Sequence, residues 1–394
     1  MSHQLIARNP DLQKLRTDGL HVLARLGYLL IKDVPYVSSS REIKRGTLIS
    51  RLELANDVTQ PPADHVAYWT GEHPCHSDGS QIFAFSNPSG PQDLGEGIRA
   101  DFTFSAKAAY RDYHHKMSTY LARIIGEARK LDPNVLVNTN PLYLPDDETS
   151  VFKYEDTASS RVNIGVMNQK LIGQRIGIVG LGGTGAYVLD FISKTHVSEI
   201  YLFDGDVFLQ HNAFRAPGAA EGKQLALAMK KVSYWSEKYS AMRHGIFAHA
   251  HFMDEEYLDK LQVLDFAFLC MDPSPAKVKL ITALEQLGIN FIDVGLGVLR
   301  YGGDRLGGLL RVTTSTPHQR ATARAHAIGQ GGQDAPNDYA TNIQVVELNA
   351  LNAAMAVIRW KKLFGYYHDT SSDHECLYMI ASNEIVNSPR SDSQ

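Results

Sequence analysis

Hydrophobic and polar positions divide the chain near residue 160. Residues 9–31 read as an amphipathic helix running into a short strand, with Leu12, Leu15, Leu20, Leu23 and Leu26 supplying much of the apolar face. From Val34 to about Pro91 the runs are short and broken by Pro61, Pro62, Pro74 and Pro88. Ser105 to Leu131 reads as one long helix stopped by Asp132 and Pro133. Polar, proline-bearing sequence from Asn138 to Ser160 is the expected linker, and no internal repeat is present.

Beyond it strand and helix patterns alternate. Strands are expected at 175–180, 199–203, 245–250, 265–270 and 289–294, with helices at 183–194, 222–240 and 274–287. Continuous apolar runs such as FAFLC belong to strands covered on both faces, hence to a mostly parallel sheet. After Asp293 come Gly-rich strand-like pieces over 295–313, a polar segment, a helix over 343–364 and a last strand near 376–386. The expected fold class is α/β: a doubly wound, Rossmann-like, mostly parallel sheet with a C-terminal antiparallel extension, preceded by a smaller α+β domain. The expected domains are 1–150 and 160–394, the latter with its core over 170–300.

Composition narrows the function classes. The 394 residues carry 39 basic and 43 acidic side chains, a formal net charge of −4, which gives no polyelectrolyte signature for nucleic acid or an anionic membrane. No segment approaches the ~20 apolar residues that span a bilayer, and no signal-peptide pattern opens the chain. A soluble, cytoplasmic protein is expected. Cys75, Cys270 and Cys376 include no CxxC pair, so neither a disulfide framework nor a four-cysteine zinc site is expected.

Gly180, Gly182, Gly183 and Gly185 follow the strand RIGIV and open a helix. Glycines there let backbone approach phosphate oxygens, and the helix N-terminus offers unsatisfied N–H groups. The turn also satisfies the GxGxxG fingerprint of nicotinamide enzymes, with Asp204 as the ribose-binding acid, so it signals a nucleotide without saying which. Asp204, Asp206, Asn212 and Arg215 then crowd one loop. Hydride transfer has no need of the arginine, the asparagine and the second aspartate, whereas attack on an α-phosphate needs cations and N–H donors to meet the growing charge, and the planar fork of Arg215 suits phosphate oxygens. Asp272 follows FAFLCM at the carboxyl edge of the sheet, where a carboxylate can hold Mg²⁺. Each also has an ordinary reading: Asp272 as a helix cap, Asn212 as turn chemistry, Arg215 as a surface cation.

GLGGTG, then FDGDVFLQHNAFR, then LCMD resembles the adenylation domain shared by ubiquitin-activating enzymes and the ThiF/HesA/MoeB-type adenylyltransferases of sulfur carriers. The resemblance covers 170–300, extends loosely to the C-terminus and leaves out the first 150 residues. It implies that ATP and Mg²⁺ are bound, with Gly182 and Gly183 under the phosphates, Asp204 on the ribose, Asn212 and Arg215 on the phosphates and Asp272 on the metal. A phosphate lysine is also implied: register favours Lys231, with Lys223 and Lys230 as alternatives. The implied substrate is the C-terminal glycine carboxylate of a small β-grasp protein, ubiquitin-like or sulfur-carrying, which attacks the α-phosphate to give an acyl-adenylate and pyrophosphate.

The cysteines depart from the ubiquitin-activating pattern. Cys270 lies in an apolar strand, Cys376 opens another, and Cys75 sits in a polar loop, none beside a cationic cluster, so no thioester step is expected. His73, Cys75, His76 and Asp78 are too crowded to close a tetrahedral metal site and read as a surface turn; His114 and His115 are expected on a helix. The polar segment 314–342 resembles the family's crossover loop, which guides the partner's tail, with Arg320 and Arg324 available to a carboxylate or an acidic partner face. A mobile surface loop is the alternative. The helix LNALNAAMAVIRWKKLF packs either in the core or in a two-fold homodimer through Ala350, Ala353, Ala354 and Ala356. An adenylyltransferase is thus expected, with partner recognition as one role for the N-terminal domain. An NAD(P)-dependent oxidoreductase and an inactive nucleotide-binding scaffold are the rival readings.

Overall fold

The computed structural model describes residues 2–87, 89–95, 97–145, 149–162, 164–251, 255–328 and 343–388. The chain forms two compact units, one of Met1–Ser150 with Tyr154–Ile164, the other of Val151–Lys153 with Gly165–Gln394.

The first unit opens with α1 (Ser2–Arg8) and α2 (Pro10–Thr17), followed by β1 (His21–Arg25), β2 (Tyr28–Val37), β3 (Ile43–Arg51), β4 (Val66–Thr70), β5 (Ser86–Asn87) and β6 (Phe102–Ser105), then α3 (Tyr113–Leu131). The strands form an antiparallel sheet in the order β1-β2-β3-β4-β6-β5. Leu12, Leu15, Val22, Ile31, Trp69, Phe104, Tyr113, Met117 and Tyr120 share one core.

Residues 9–31 hold the expected helix and the strand it runs into, the helix stopping at Thr17. Gly19 and Gly27 take φ of +84° and +75°, and between them Val22 and Ala24 are buried at the period of two that a hairpin strand requires. Leu23 is therefore a strand residue and Leu26 lies in the hairpin turn. The long helix begins at Tyr113 rather than near Ser105, because Asp112 caps it by accepting from His115 N at 2.7 Å.

The second unit contains β7 (Arg175–Val179), α4 (Gly183–Ser193), β8 (Glu199–Phe203), α5 (Gln210–Ala213), α6 (Lys231–Ser240), β9 (Ile246–His249), β10 (Phe266–Leu269), α7 (Pro275–Gln286), β11 (Asn290–Tyr301), β12 (Arg305–Ser315), α8 (Arg320–Ile328), α9 (Val346–Leu363), β13 (Glu375–Met379) and β14 (Glu384–Ser388). Its sheet runs β9-β8-β7-β10-β11-β12-β13-β14. The first five strands are parallel and the last three antiparallel, the expected doubly wound sheet with its extension. Strand order reverses beside β7, which places a crevice at the carboxyl ends of β7 and β10.

Two elements depart from the pattern. The stretch 222–240 breaks into Gly222–Ala226 and α6 around Ala228, whose φ is +46°. The expected last strand is a hairpin, β13 with β14. Helix α9 packs on α4, with Ala353, Ala356 and Trp360 buried among Ile178, Leu189 and Phe268. Ala353 and Ala356 thereby serve this chain's own core, while Ala350 and Ala354 are half-buried. Among the described residues no helix is long and apolar enough to cross a membrane.

Candidate functional site

A cavity of about 800 Å³ opens at that crevice. Gly180, Gly182, Gly183, Asp204, Asp206, Arg215, Lys231 and Asp272 all line it, so one site gathers most of the residues nominated from sequence. Gly185 and Asn212 are not among the lining residues.

The glycines do different work. Gly180 has φ +87°, and a Cβ there would come within 2.5 Å of Cys270 O. At Gly185 it would meet Gly180 O at 1.8 Å, so this glycine closes the turn on itself. At Gly183 a Cβ would stand 2.0 Å from Asn349 Nδ2. Of the four, Gly182, the N-cap of α4, faces open space, with no atom of the described residues within 4 Å of where a Cβ would stand.

Asp204 is 7 % exposed at its side chain. Its oxygens accept from Leu181 N at 2.6 Å and Asp206 N at 2.8 Å, tying the glycine turn to the end of β8. Lys231 opens α6, and its Nζ lies 2.7 Å from Asp206 Oδ2 and 3.7 Å from Asp204 Oδ2. Of the three lysines considered it alone lines the cavity: Lys230 Nζ donates to Gly205 O at 2.6 Å, and Lys223 is exposed on the single turn before α6. Asn212 is 4 % exposed, and its Oδ1 accepts from Leu209 N at 2.8 Å, so its carboxamide shapes the short helix α5.

Arg215 reaches the cavity with its Nε buried and without a hydrogen-bond partner among the described residues. Burial pulls its basicity down, and the negative charge of Asp272 opposes that shift. Desolvated cationic donors aimed into a cavity suit an anion. Asp272, just beyond β10, is exposed. Among the described residues no three His, Cys, Asp or Glu side chains cluster as a metal cage. A single exposed carboxylate is a donor of the kind Mg²⁺ takes together with waters.

Three residues that pattern reading missed belong to the site. Asn349 of α9 is fully buried, accepts from Thr184 Oγ1 at 2.9 Å and donates to Arg215 O at 3.3 Å, joining the start of α4 to the backbone of the arginine. Lys277 and Arg311 line the cavity and flank the fully buried Asp293, at 2.6 Å and 2.8 Å. The only signals in the sequence were a polar residue in an apolar helix and charges beside apolar strands.

Cys270 also lines the cavity, and burial, with help from the Asp293 carboxylate, drives its thiol well up. Burial likewise raises Cys376 and Cys75. Cys75 is buried rather than looped into solvent, because it bridges Val37 and Gln81. His73 meets Pro74 O at 2.9 Å and Ser86 Oγ at 3.1 Å, and His76 lies 3.2 Å from Glu127. His115 lies on α3, where His114 also meets Asp18 at 2.9 Å. Within the expected guiding loop, residues 320–328 form α8. There Arg324 donates to Glu285 at 2.8 Å and Thr282 at 2.9 Å, and Arg320 donates to Glu285 O, so both arginines are spent on α7 rather than offered to a partner. The rest of that loop, 329–342, lies outside the described residues.

The ThiF family profile matches residues 158–364, more than half of the chain. A domain of unknown function, DUF6791, matches residues 10–157. No curated protein matches the chain. Solved structures that resemble it include E. coli MccB with ATP, 16 % identical over 61 % of this chain and 73 % of that one, TM-score 0.45. Another is the microcin C7 biosynthetic enzyme MccB in complex with N-formylated MccA, 16 % identical over 59 % and 68 %, TM-score 0.43. A third is selenomethionine PaaA, 14 % identical over 57 % and 75 %, TM-score 0.43.

Proposed function

The chain belongs to the ThiF family, and from that premise we propose that its second unit binds ATP and adenylates the C-terminal carboxylate of a small protein, a β-grasp ubiquitin-like or sulfur-carrier protein ending in glycine. The observation that carries this reading is Arg215: a partly buried guanidinium whose Nε lacks a partner among the described residues, in one cavity with the glycine turn, Lys231 and Asp272.

The roles follow from charge. The triphosphate lies over Gly182 and Gly183 with the α4 N-terminus beneath it. Asp204 keeps lone pairs for the ribose beyond the two N–H groups it already accepts. A carboxylate oxygen attacks the α-phosphorus, the bond to the bridging oxygen breaks, and pyrophosphate leaves with the electron pair. An ionised carboxylate makes proton transfer unnecessary, so positioning and charge stabilisation by Arg215 and Lys231 account for the rate. Lys231 exchanges its bond with Asp206 for the phosphates. Asp272, with Asp206 near, would hold Mg²⁺, whose chemistry is to neutralise the phosphate oxygens.

ATP–pyrophosphate exchange with a candidate carrier ending in glycine tests the reading. Exchange is expected with the wild type, and a loss of about a hundredfold or more in Asp272→Ala and in Arg215→Ala with folding intact. Tight NADH binding with no exchange from any carrier would favour an oxidoreductase. Nucleotide binding with no exchange from any carrier would favour a scaffold.

A further inference from the structure

We propose that Lys277, anchored on the buried carboxylate of Asp293, is a positioning residue that fixes the turn bearing Asp272 and so sets the cation and phosphate end of the cavity. The inference rests on the adenylation reading above.

Lys277 lies in the first turn of α7, where its N–H donates to the capping Ser274 Oγ at 3.2 Å. Its side chain is 2 % exposed. The Nζ sits 2.6 Å from Asp293 Oδ1 on β11 and donates to Met271 O at 3.1 Å, the carbonyl directly before Asp272. The turn is held from its other side as well. Cys270 N donates to Val179 O at 2.8 Å, and Cys270 O packs so close to Gly180 that only glycine fits there.

Asp272 thus stands on a peptide clamped between the phosphate turn and one ammonium group. Burying an ion pair is a poor way to gain stability, since a well-packed apolar pair serves as well or better. Here the pair spans from a strand to a loop carbonyl at the edge of the site, which is what orienting a ligand requires. Asp293 is itself held from its second oxygen by Arg311 at 2.8 Å, so the ammonium has a fixed base.

Binding of a fluorescent N-methylanthraniloyl ATP to the full-length protein, titrated with Mg²⁺ after EDTA treatment, tests this. Two variants are used, each checked for folding by near-UV circular dichroism. Lys277→Arg keeps the charge but replaces the compact ammonium by a planar fork. The double variant Lys277→Met with Asp293→Asn removes both charges of the pair and keeps a carboxamide oxygen that can accept from Arg311. Each is expected to raise the Mg²⁺ concentration for half-maximal binding by about tenfold or more, a larger factor than any loss of metal-free affinity. A folded variant that keeps the wild-type Mg²⁺ midpoint, or that loses metal-free affinity in proportion, overturns the positioning role and leaves adenylation standing. A wild type without Mg²⁺-dependent ATP binding overturns both.

Discussion

Neighbouring glycines in the turn after β7 answer to different constraints. Gly183 makes room for Asn349, whereas Gly182 leaves space that no atom of the described residues fills. Gly183→Ala should therefore destabilise the fold by about 1–3 kcal/mol through overpacking. Gly182→Ala should melt like the wild type yet bind ATP more weakly; denaturant midpoints and nucleotide titrations check the pair. His249 supplies a pH prediction. Its Nε2 is buried without a partner among the described residues, its ring stacks 4.8 Å from Phe203, and burial, with the charges of Lys260 and His251, pulls its pKa below 6.5. The unfolded chain thus binds the proton more readily than the fold, so stability is complete above about 6.5 and falls as pH drops toward the depressed native value. Urea midpoints at about pH 7.5 and about pH 5.5 should differ more in the wild type than in His249→Gln. With all three thiols pushed up by burial, no reducible adduct with an adenylated carrier should form; a carrier band that thiol reductant removes on a denaturing gel would contradict this.

Among the elements, α9 has the widest reach: its apolar side fills the core while Asn349 bonds both the start of α4 and the Arg215 backbone. Asn349→Leu should cost about 1–3 kcal/mol by leaving Thr184 Oγ1 unpaired, and should lower pyrophosphate exchange at saturating ATP by loosening Arg215. Asn349→Asp, which keeps the acceptor for Thr184, should retain more of the stability than of the exchange. The parallel strands and their glycine turn were legible because period and punctuation are local: the strand at 199–203 falls on β8 with both ends in place. Asn349, Lys277 and Arg311 were not, because their meaning depends on partners distant in sequence, such as Asp293 eighteen residues before Arg311. The point within 9–31 where helix gives way to strand, and the pairing of that strand with β2, escaped for a related reason: leucines spaced to suit a helix also fit a shorter helix followed by alternating strands, and the decisive glycines act through backbone conformation.

At the scale of the molecule, each unit owns a separate apolar cluster, Trp69 and Tyr120 in one, Trp235 and Trp360 in the other. A ligand that binds only the second should raise its unfolding free energy by about 2.7 kcal/mol at a hundred times its dissociation constant. Calorimetry with Mg²⁺ and ATP is expected to move one of two transitions and leave the other in place. The first unit is the proposed partner-recognition element, so the complete chain should require less carrier for half-maximal exchange than a form lacking that unit. Where to cut is less obvious than the family boundaries suggest. Val151–Lys153 belongs with the second unit, Phe152 bridging to Arg243, before Tyr154–Ile164 returns to the first. The polypeptide is interlaced there like a stitch, so neither half is a continuous ribbon. A fragment begun at Gly165 would leave Arg243, fully buried, without the Phe152 ring that lies 5.9 Å from its guanidinium.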